Sequence, residues 1–194
     1  MMPLSRMHLL ALCAIPWATA CAAQPFMETT GKTSQPIGHY EFCRKAPSEC
    51  RTRGMKPKPE APDFIRTASR INLEVNRRIT AATDPDHHGI TELWDFADDG
   101  KGDCEDYALL KRRMLREAGV PAGNLLMTVA AKPDGEVHAV LTLRLADGDY
   151  VLDNLRDEVV RWDRTGYRFM KRQSEKHAGT WLGIAQREVA SAGG

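Results

Sequence analysis

The hydrophobic period of the chain changes once, close to residue 120, and that change is what most limits the fold. Before it, Tyr107, Leu110, Met114 and Ala118 recur at three- and four-residue steps, the spacing of one helix face, and Ala118-Gly119-Val120-Pro121 stops the helix. After it the period is two. Leu125 to Ala131 reads as a strand and Lys132-Pro133-Asp134-Gly135-Glu136 as a turn, after which Val137, Ala139, Leu141, Leu143 and Leu145 alternate with His138, Val140, Thr142 and Arg144. Asp147-Gly148 then turns the chain into Tyr150 to Asn154. Upstream, Phe64, Ile65, Ala68, Ile71, Val75 and Ile79 mark a second amphipathic helix, and Asp84 to Gly89 reads as a loop. Helices followed by consecutive strands on short turns give an α+β class with an antiparallel sheet.

The ends of the chain set its compartment. Met1 to Arg6 carries one Arg and no acid, and Met7 to Ala20 is apolar and closes on small residues, the pattern of a signal peptide, which we assign to residues 1–23. Ala18-Thr19-Ala20 fits a cleavage site. The same stretch followed by Cys21 also fits a weak lipoprotein box, so soluble export to the periplasm and a lipid anchor at Cys21 both stay open. No transmembrane span is expected, because the apolar run falls short of the ~20 residues a bilayer requires and contains Pro16. Residues 24–39 are polar and aperiodic and read as a flexible lead-in, residues 40–184 as the domain, and residues 185–194 as a frayed tail. With 27 Lys and Arg against 26 Asp and Glu, no basic excess supports nucleic-acid binding. In an oxidising compartment Cys43 and Cys50, in a loop with Pro47 and Ser48, are the expected disulfide partners, which leaves Cys104 unpaired.

The surroundings of Cys104 point to chemistry. Asp103 is placed to cap the helix, with Asp106 in the reciprocal position, so the thiol falls in the first helical turn, where free amides and the dipole favour a thiolate. His138 can hold the proton and Asp153 can orient the imidazole. An Asp147-Gly148 turn places Asp153 opposite Thr142, on the face of His138 but four residues along, roughly 13 Å at ~3.3 Å per residue. A turn starting at Ala146 halves that offset, and a bulge or twist must close the rest. The acids Asp103, Glu105 and Asp106 raise the pKa of a neighbouring thiol unless a cation offsets them. His87-His88 reads as a solvated pair, Lys171-Arg172 as a solvated face, and Trp94, Trp162, Tyr167 and Trp181 as core aromatics.

Gly102-Asp103-Cys104-Glu105-Asp106-Tyr107-Ala108, then Gly119-Val120-Pro121, His138-Ala139-Val140-Leu141 and Val151-Leu152-Asp153-Asn154, resemble the bacterial transglutaminase-like cysteine proteinases. Trp94 and Arg172-Gln173-Ser174 extend the likeness, which spans roughly residues 40–182. The resemblance implies a papain/transglutaminase-like fold with Cys104 as nucleophile, His138 as base and Asp153 as orienter. The best-studied relatives are periplasmic, calcium-dependent proteases that clip large adhesins from the cell surface. The likeness covers the catalytic core and does not extend to what binds beside it; a periplasmic or cell-surface protein, an adhesin among them, is the expected substrate. By the likeness, Ca2+ is held in part by Asp103 and Glu105. Calcium takes six to eight oxygen ligands, and Asp95, Asp98 and Asp99 are further sources in the same loop. The triad chemistry itself needs no cofactor. Two alternatives to peptide hydrolysis remain open on these residues: acyl transfer from glutamine to an amine, which passes through the same thioester, and a non-catalytic module that binds calcium or a partner.

Overall fold

In the computed structural model, which describes residues 24–51 and 61–186, the elements follow in chain order as β1 (Thr29–Thr33), α1 (Ile37–Lys45), α2 (Ala61–Arg78), β2 (Thr80–Ala81), α3 (Asp84–His88), β3 (Lys101–Gly102), α4 (Cys104–Glu117), β4 (Leu125–Ala131), β5 (Val137–Leu145), β6 (Gly148–Asp153), β7 (Arg156–Arg161), β8 (Arg168–Gln173) and β9 (Trp181–Ile184). The expected signal peptide, the stretch Lys56-Pro57-Lys58-Pro59 and residues 187–194 of the expected tail lie outside the described residues. β1 to β9, apart from the short parallel pair β2–β3, form a seven-stranded antiparallel sheet in the order β1-β9-β8-β4-β5-β6-β7. No helix among the described residues is long and apolar enough to cross a membrane.

Helix α4 is buried on nearly all sides from Glu105 to Arg112, because the sheet covers one flank and α2 another. Leu109, Leu110 and Leu115 pack with Ala68, Ile71 and Val75 of α2 and with Leu125, Met127, Leu141, Leu143 and Leu152 of the sheet. Each fully buried leucine contributes about 1.5–3 kcal/mol. The opposite sheet face carries Ala130, Val140, Val151 and Phe169, covered by Met27 and Trp162. With cores on both faces, all of β4 and all of β5 except Val137 are buried, so the period-two pattern separates two cores and not core from water. Polar groups on the second face are paired, as burial demands: the Thr128 and Thr142 hydroxyls lie 2.7 Å apart, and Arg144 Nε is 2.7 Å from Asp149 Oδ1.

Residues 24–39 are not a flexible lead-in. β1 pairs with β9, Met27 is buried, and the Met27 N–H donates to Asp149 Oδ2 at 2.8 Å. The five residues of β1 are all exposed, so an edge strand of this kind leaves no hydrophobic period to read. The first residues of the expected frayed tail are tied down as well: Ala185 N–H donates to Glu28 O at 2.9 Å. The Asp84–Gly89 loop contains the single-turn helix α3, which ends at Gly89 with φ +69°. Arg172 is buried rather than solvated, its Nη1 donating to Gln173 O at 3.0 Å, while Lys171 stays half-exposed.

Cys43 and Cys50 form the expected disulfide. It carries Glu49 to α4, where the carboxylate meets Arg112 Nη1 and Arg116 Nη1, each at 2.6 Å. Burial works to raise the Glu49 pKa, yet the two guanidiniums hold it below the usual carboxylate range. Among the described residues Lys111 has no such ion-pair partner. Burial pushes its ammonium down to about 7 against the attraction of Asp153 and Asp157. The unfolded chain keeps that proton up to about 10.4. Below about 7 both states are charged and the folded state carries the full burial cost, which fades as pH rises toward the unfolded value. Lys111→Met should therefore raise the melting temperature by several degrees at neutral pH and below, with the gain shrinking in alkaline buffer. A gain that is the same at every pH in thermal melts would contradict this account.

Candidate active site

The β5–β6 hairpin decides whether His138 and Asp153 can meet. Leu145 pairs with Gly148 and Leu141 with Leu152, so the turn consists of Ala146 and Asp147, one residue earlier than an Asp147-Gly148 turn. Asp153 falls one step beyond the last pair, level with Val140 and not with Thr142. His138 and Asp153 are thus diagonal neighbours two residues out of step, a separation that long side chains bridge. The His138 Nε2 to Asp153 Oδ1 distance is 2.8 Å, with both groups buried. The register of β6 against β7 shifts between Val151 and Asp153, the irregularity expected beside such a contact.

Asp153 is held from several sides. Oδ1 also accepts from Leu155 N–H at 3.0 Å, Oδ2 accepts from the Tyr167 hydroxyl at 2.7 Å, and Asn76 Nδ2 of α2 donates to the Asp153 carbonyl at 3.0 Å. Burial works to raise its pKa, but the bonds from His138, Tyr167 and Leu155 hold the carboxyl below its ordinary value.

Cys104 is a half-buried free thiol at the first position of α4. Its sulfur accepts from the Ala139 N–H at 3.3 Å, one residue past His138, and its own proton is donated to Glu105 Oε2 at 3.1 Å. Cys104, His138 and Ala139 open on one cleft of about 710 Å³, whose wall includes Asp103, Glu105 and Trp94. Burial, then the charge of Glu105, pushes the thiol pKa up, so the isolated chain does not hold a ready thiolate.

The cause is an acid cluster that the sequence revealed only in part. Oxygens of Asp84, Asp103 and Asp106 lie within 4.8 Å of one another, as do those of Asp84, Glu92 and Glu105. Among the described residues none of the five forms an ion pair with a Lys or Arg. Burial pushes Asp103 up, Glu105 to about 9 and Asp106 to about 8. Asp103 stands at the N-cap position without capping: its side chain makes no cap bond and Oδ1 is buried with no partner. The Asp106 carboxylate, in the reciprocal position, bonds the Asp103 backbone as well as accepting from Asp95 N–H at 2.7 Å through Oδ1. Gly102 is required here, because a Cβ there would lie 2.5 Å from Asp106 Oδ2. An unpartnered buried oxygen amid crowded carboxylates is the donor set of a hard cation site. Asp95, Asp98 and Asp99 are not part of it. Asp98 pairs with Arg113, Asp99 accepts from His87 Nε2 at 2.8 Å, and Asp95 Oδ1 accepts from Phe96 N–H at 2.7 Å. Trp94 is a buried core anchor whose indole N–H donates to Glu92 Oε1 at 2.7 Å. Asp84, Glu92 and Tyr167 escaped the sequence reading, for no spacing links them to Cys104.

The model of one protein family, the bacterial transglutaminase-like cysteine proteinases, matches residues 29–189. Comparison with curated protein sequences finds no match. Among solved structures the chain is similar to Legionella pneumophila LapG, at 27% identity and a TM-score of 0.50 over 63% of this chain and 71% of that one. Its calcium-bound form matches at 22% identity and a TM-score of 0.54, covering 83% and 88%. An EGTA-treated form matches at 23% and 0.53, covering 68% and 76%. The mixed helix and antiparallel sheet architecture is that of a transglutaminase-like cysteine protease.

Proposed function

The chain belongs to the bacterial transglutaminase-like cysteine proteinases and is a cysteine peptidase, and from that membership we propose that Cys104 is its nucleophile, His138 its general base and Asp153 the group that orients the imidazole. The observation that carries this assignment is the shared cleft: the free thiol and the imidazole open on it together, and the imidazole is tied from behind to a buried carboxylate. With Nε2 bonded to Asp153, Nδ1 is the nitrogen that takes the thiol proton. The sulfur adds to the peptide carbonyl carbon, and the electron pair moves to the carbonyl oxygen. Cys104 N–H, one of the amides that a first helical turn leaves without an intrahelical acceptor, stabilises that oxyanion. Collapse breaks the C–N bond, and the imidazolium proton goes to the leaving amine. His138 then deprotonates a water that hydrolyses the thioester, releasing the acid and restoring the thiol.

Ca2+ fits the acid cluster, and we assign it to Asp84, Asp103 and Glu105, with Glu92 and Asp106 adjoining. When bound, the ion supplies positive charge that keeps these carboxylates ionised beside a group that must itself become an anion. Glu105, engaged in this way, no longer accepts the Cys104 proton, and the thiol is left to His138. A solved form of the similar LapG contains calcium, which supports the assignment. The signal-like pattern of residues 1–23 and the Cys43–Cys50 disulfide support a periplasmic location, as a soluble chain or one anchored at Cys21, with a cell-surface protein such as an adhesin as substrate.

Incubating a cell-surface protein fraction with the mature chain should create new N-termini, mapped by mass spectrometry, that a Cys104→Ala chain fails to make. The loss should be roughly a thousandfold or more, with the melting temperature unchanged. Crosslinked products in place of shortened ones would favour acyl transfer to an amine. For calcium, chelation should slow iodoacetamide alkylation of Cys104 roughly tenfold, the thiolate fraction lost with one pKa unit. Asp103→Asn should abolish the difference between chelated and calcium-containing buffer. Alkylation kinetics that ignore calcium altogether would sink the assignment.

A further inference from the structure

Tyr167 lies outside every motif, between the helical turn Trp162–Arg164 and β8. Its delivery to the site is built in. Thr165 Oγ1 donates to Trp162 O at 2.9 Å and accepts from Tyr167 N–H at 3.1 Å, and Gly166 turns the chain with φ +80°. The tyrosine then touches two members of the proposed triad. Its hydroxyl donates to Asp153 Oδ2 at 2.7 Å, and its ring stands edge-on to His138, the centroids 5.7 Å apart and the planes at 81°. Phe169 backs the ring with a centroid distance of 6.3 Å.

We propose that Tyr167 is a positioning residue of the cysteine peptidase: its hydroxyl fixes the rotation of the Asp153 carboxylate and its ring fixes the plane of His138, so that Oδ1 is presented to Nε2 and Nδ1 is left for the thiol. This inference rests on the triad proposed above. Of the two Asp153 oxygens, Oδ1 has two donors, His138 and Leu155, whereas among the described residues Oδ2 has the phenol as its hydrogen-bond donor. Removing that hydroxyl leaves a buried carboxylate oxygen without its donor and frees the group to turn about its Cβ–Cγ bond, which misaligns the Nε2 bond it makes on the other side. Burial, then the bond to Asp153, pushes the phenol pKa up, so the hydroxyl stays a donor wherever the enzyme is folded. A phenylalanine would keep the ring contact and lose the hydroxyl, which separates the two functions.

The test is alkylation of Cys104 by iodoacetamide in the mature chain in calcium-containing buffer, comparing near-neutral with strongly alkaline pH. Near neutrality the rate depends on the imidazole. In strong alkali the thiolate forms without it. Tyr167→Phe should lower the neutral rate about tenfold, the order expected for one hydrogen bond to a charged group, while leaving the alkaline rate unchanged; the unsatisfied carboxylate oxygen lowers the melting temperature by a few degrees without unfolding the chain. Tyr167→Leu, which removes the ring as well, should lower the neutral rate further. A Tyr167→Phe chain that keeps the wild-type neutral rate, while Asp153→Ala slows it, overturns this inference and leaves the triad standing. Equal slowing of Tyr167→Phe at both pH values also overturns it, since that marks a general structural role. If neither His138→Ala nor Asp153→Ala alters the neutral rate, the triad falls and the role of Tyr167 falls with it.

Discussion

The pairing of Leu145 with Gly148 fixes the β5–β6 register, and the His138–Asp153 contact exists because of it. A slip of one residue would turn Asp153 to the other face of the sheet. The turn is held by the segment ahead of β1: Asp149 N–H donates to Pro25 O at 2.8 Å, and the Asp149 carboxylate takes both Arg144 and the Met27 N–H. Gly148 permits this approach, since a Cβ there would lie 2.7 Å from Pro25 O. A stretch with no hydrophobic period thus sets the geometry of a site far along the chain.

Buried carboxylates are treated in two ways in this fold. Glu49 and Asp153 are surrounded by donors, and their pKa values sit low in spite of burial. Glu105 and Asp106 crowd together without a basic partner, and burial carries them to about 9 and about 8. With pKa values this high both groups keep their protons near neutral pH, so the cluster avoids an unpaired buried charge by staying neutral, whereas Glu49 and Asp153 are held ionised by their donors. The same cluster is what keeps the proton on the Cys104 sulfur, where it is donated to Glu105 Oε2. On the proposed assignment, a cation at the acids would let them ionise and release the Cys104 proton from its bond to Glu105.

Much of this was legible in the residues. Periodicity gave α2, α4 and the strands β4 to β6 but not β7 to β9, and the spacing of Cys43 and Cys50 in a Pro-containing loop gave the disulfide. Alternation placed His138 and Asp153 on one face, while the turn falls one residue earlier than the Asp-Gly preference indicates, with the positive φ at Gly148 just after it. β1 was invisible because Thr29 to Thr33 are exposed on an edge. The acid cluster beside Cys104 was half visible. Asp95, Asp98 and Asp99 are close to Cys104 in sequence but spend their oxygens on Phe96, Arg113 and His87, whereas Asp84 and Glu92 reach the site only through folding. Tyr167 reads as one more core aromatic, since a hydroxyl aimed at a carboxylate leaves no trace in a linear pattern.

The start of a helix marked Cys104 as reactive, and the magnitudes show why that position is insufficient. A helix terminus favours a nearby charge by about 0.3–1 kcal/mol, and by at most ~2 in partly buried geometries. Burial and the Glu105 carboxylate act against it and prevail, for the thiol pKa is raised and not lowered. Reactivity must then come from groups that act on the thiol only when the acids are neutralised. Among the described residues His138 is the histidine that lines the cleft with the sulfur, and its orientation depends on Asp153, which in turn depends on Tyr167 and Leu155. On the proposed assignment, the chain separates two requirements that a bare helix terminus cannot meet together: a scaffold that keeps the thiol protonated while the acids lack a counter-charge, and a proton acceptor already held by Asp153 when that charge is supplied.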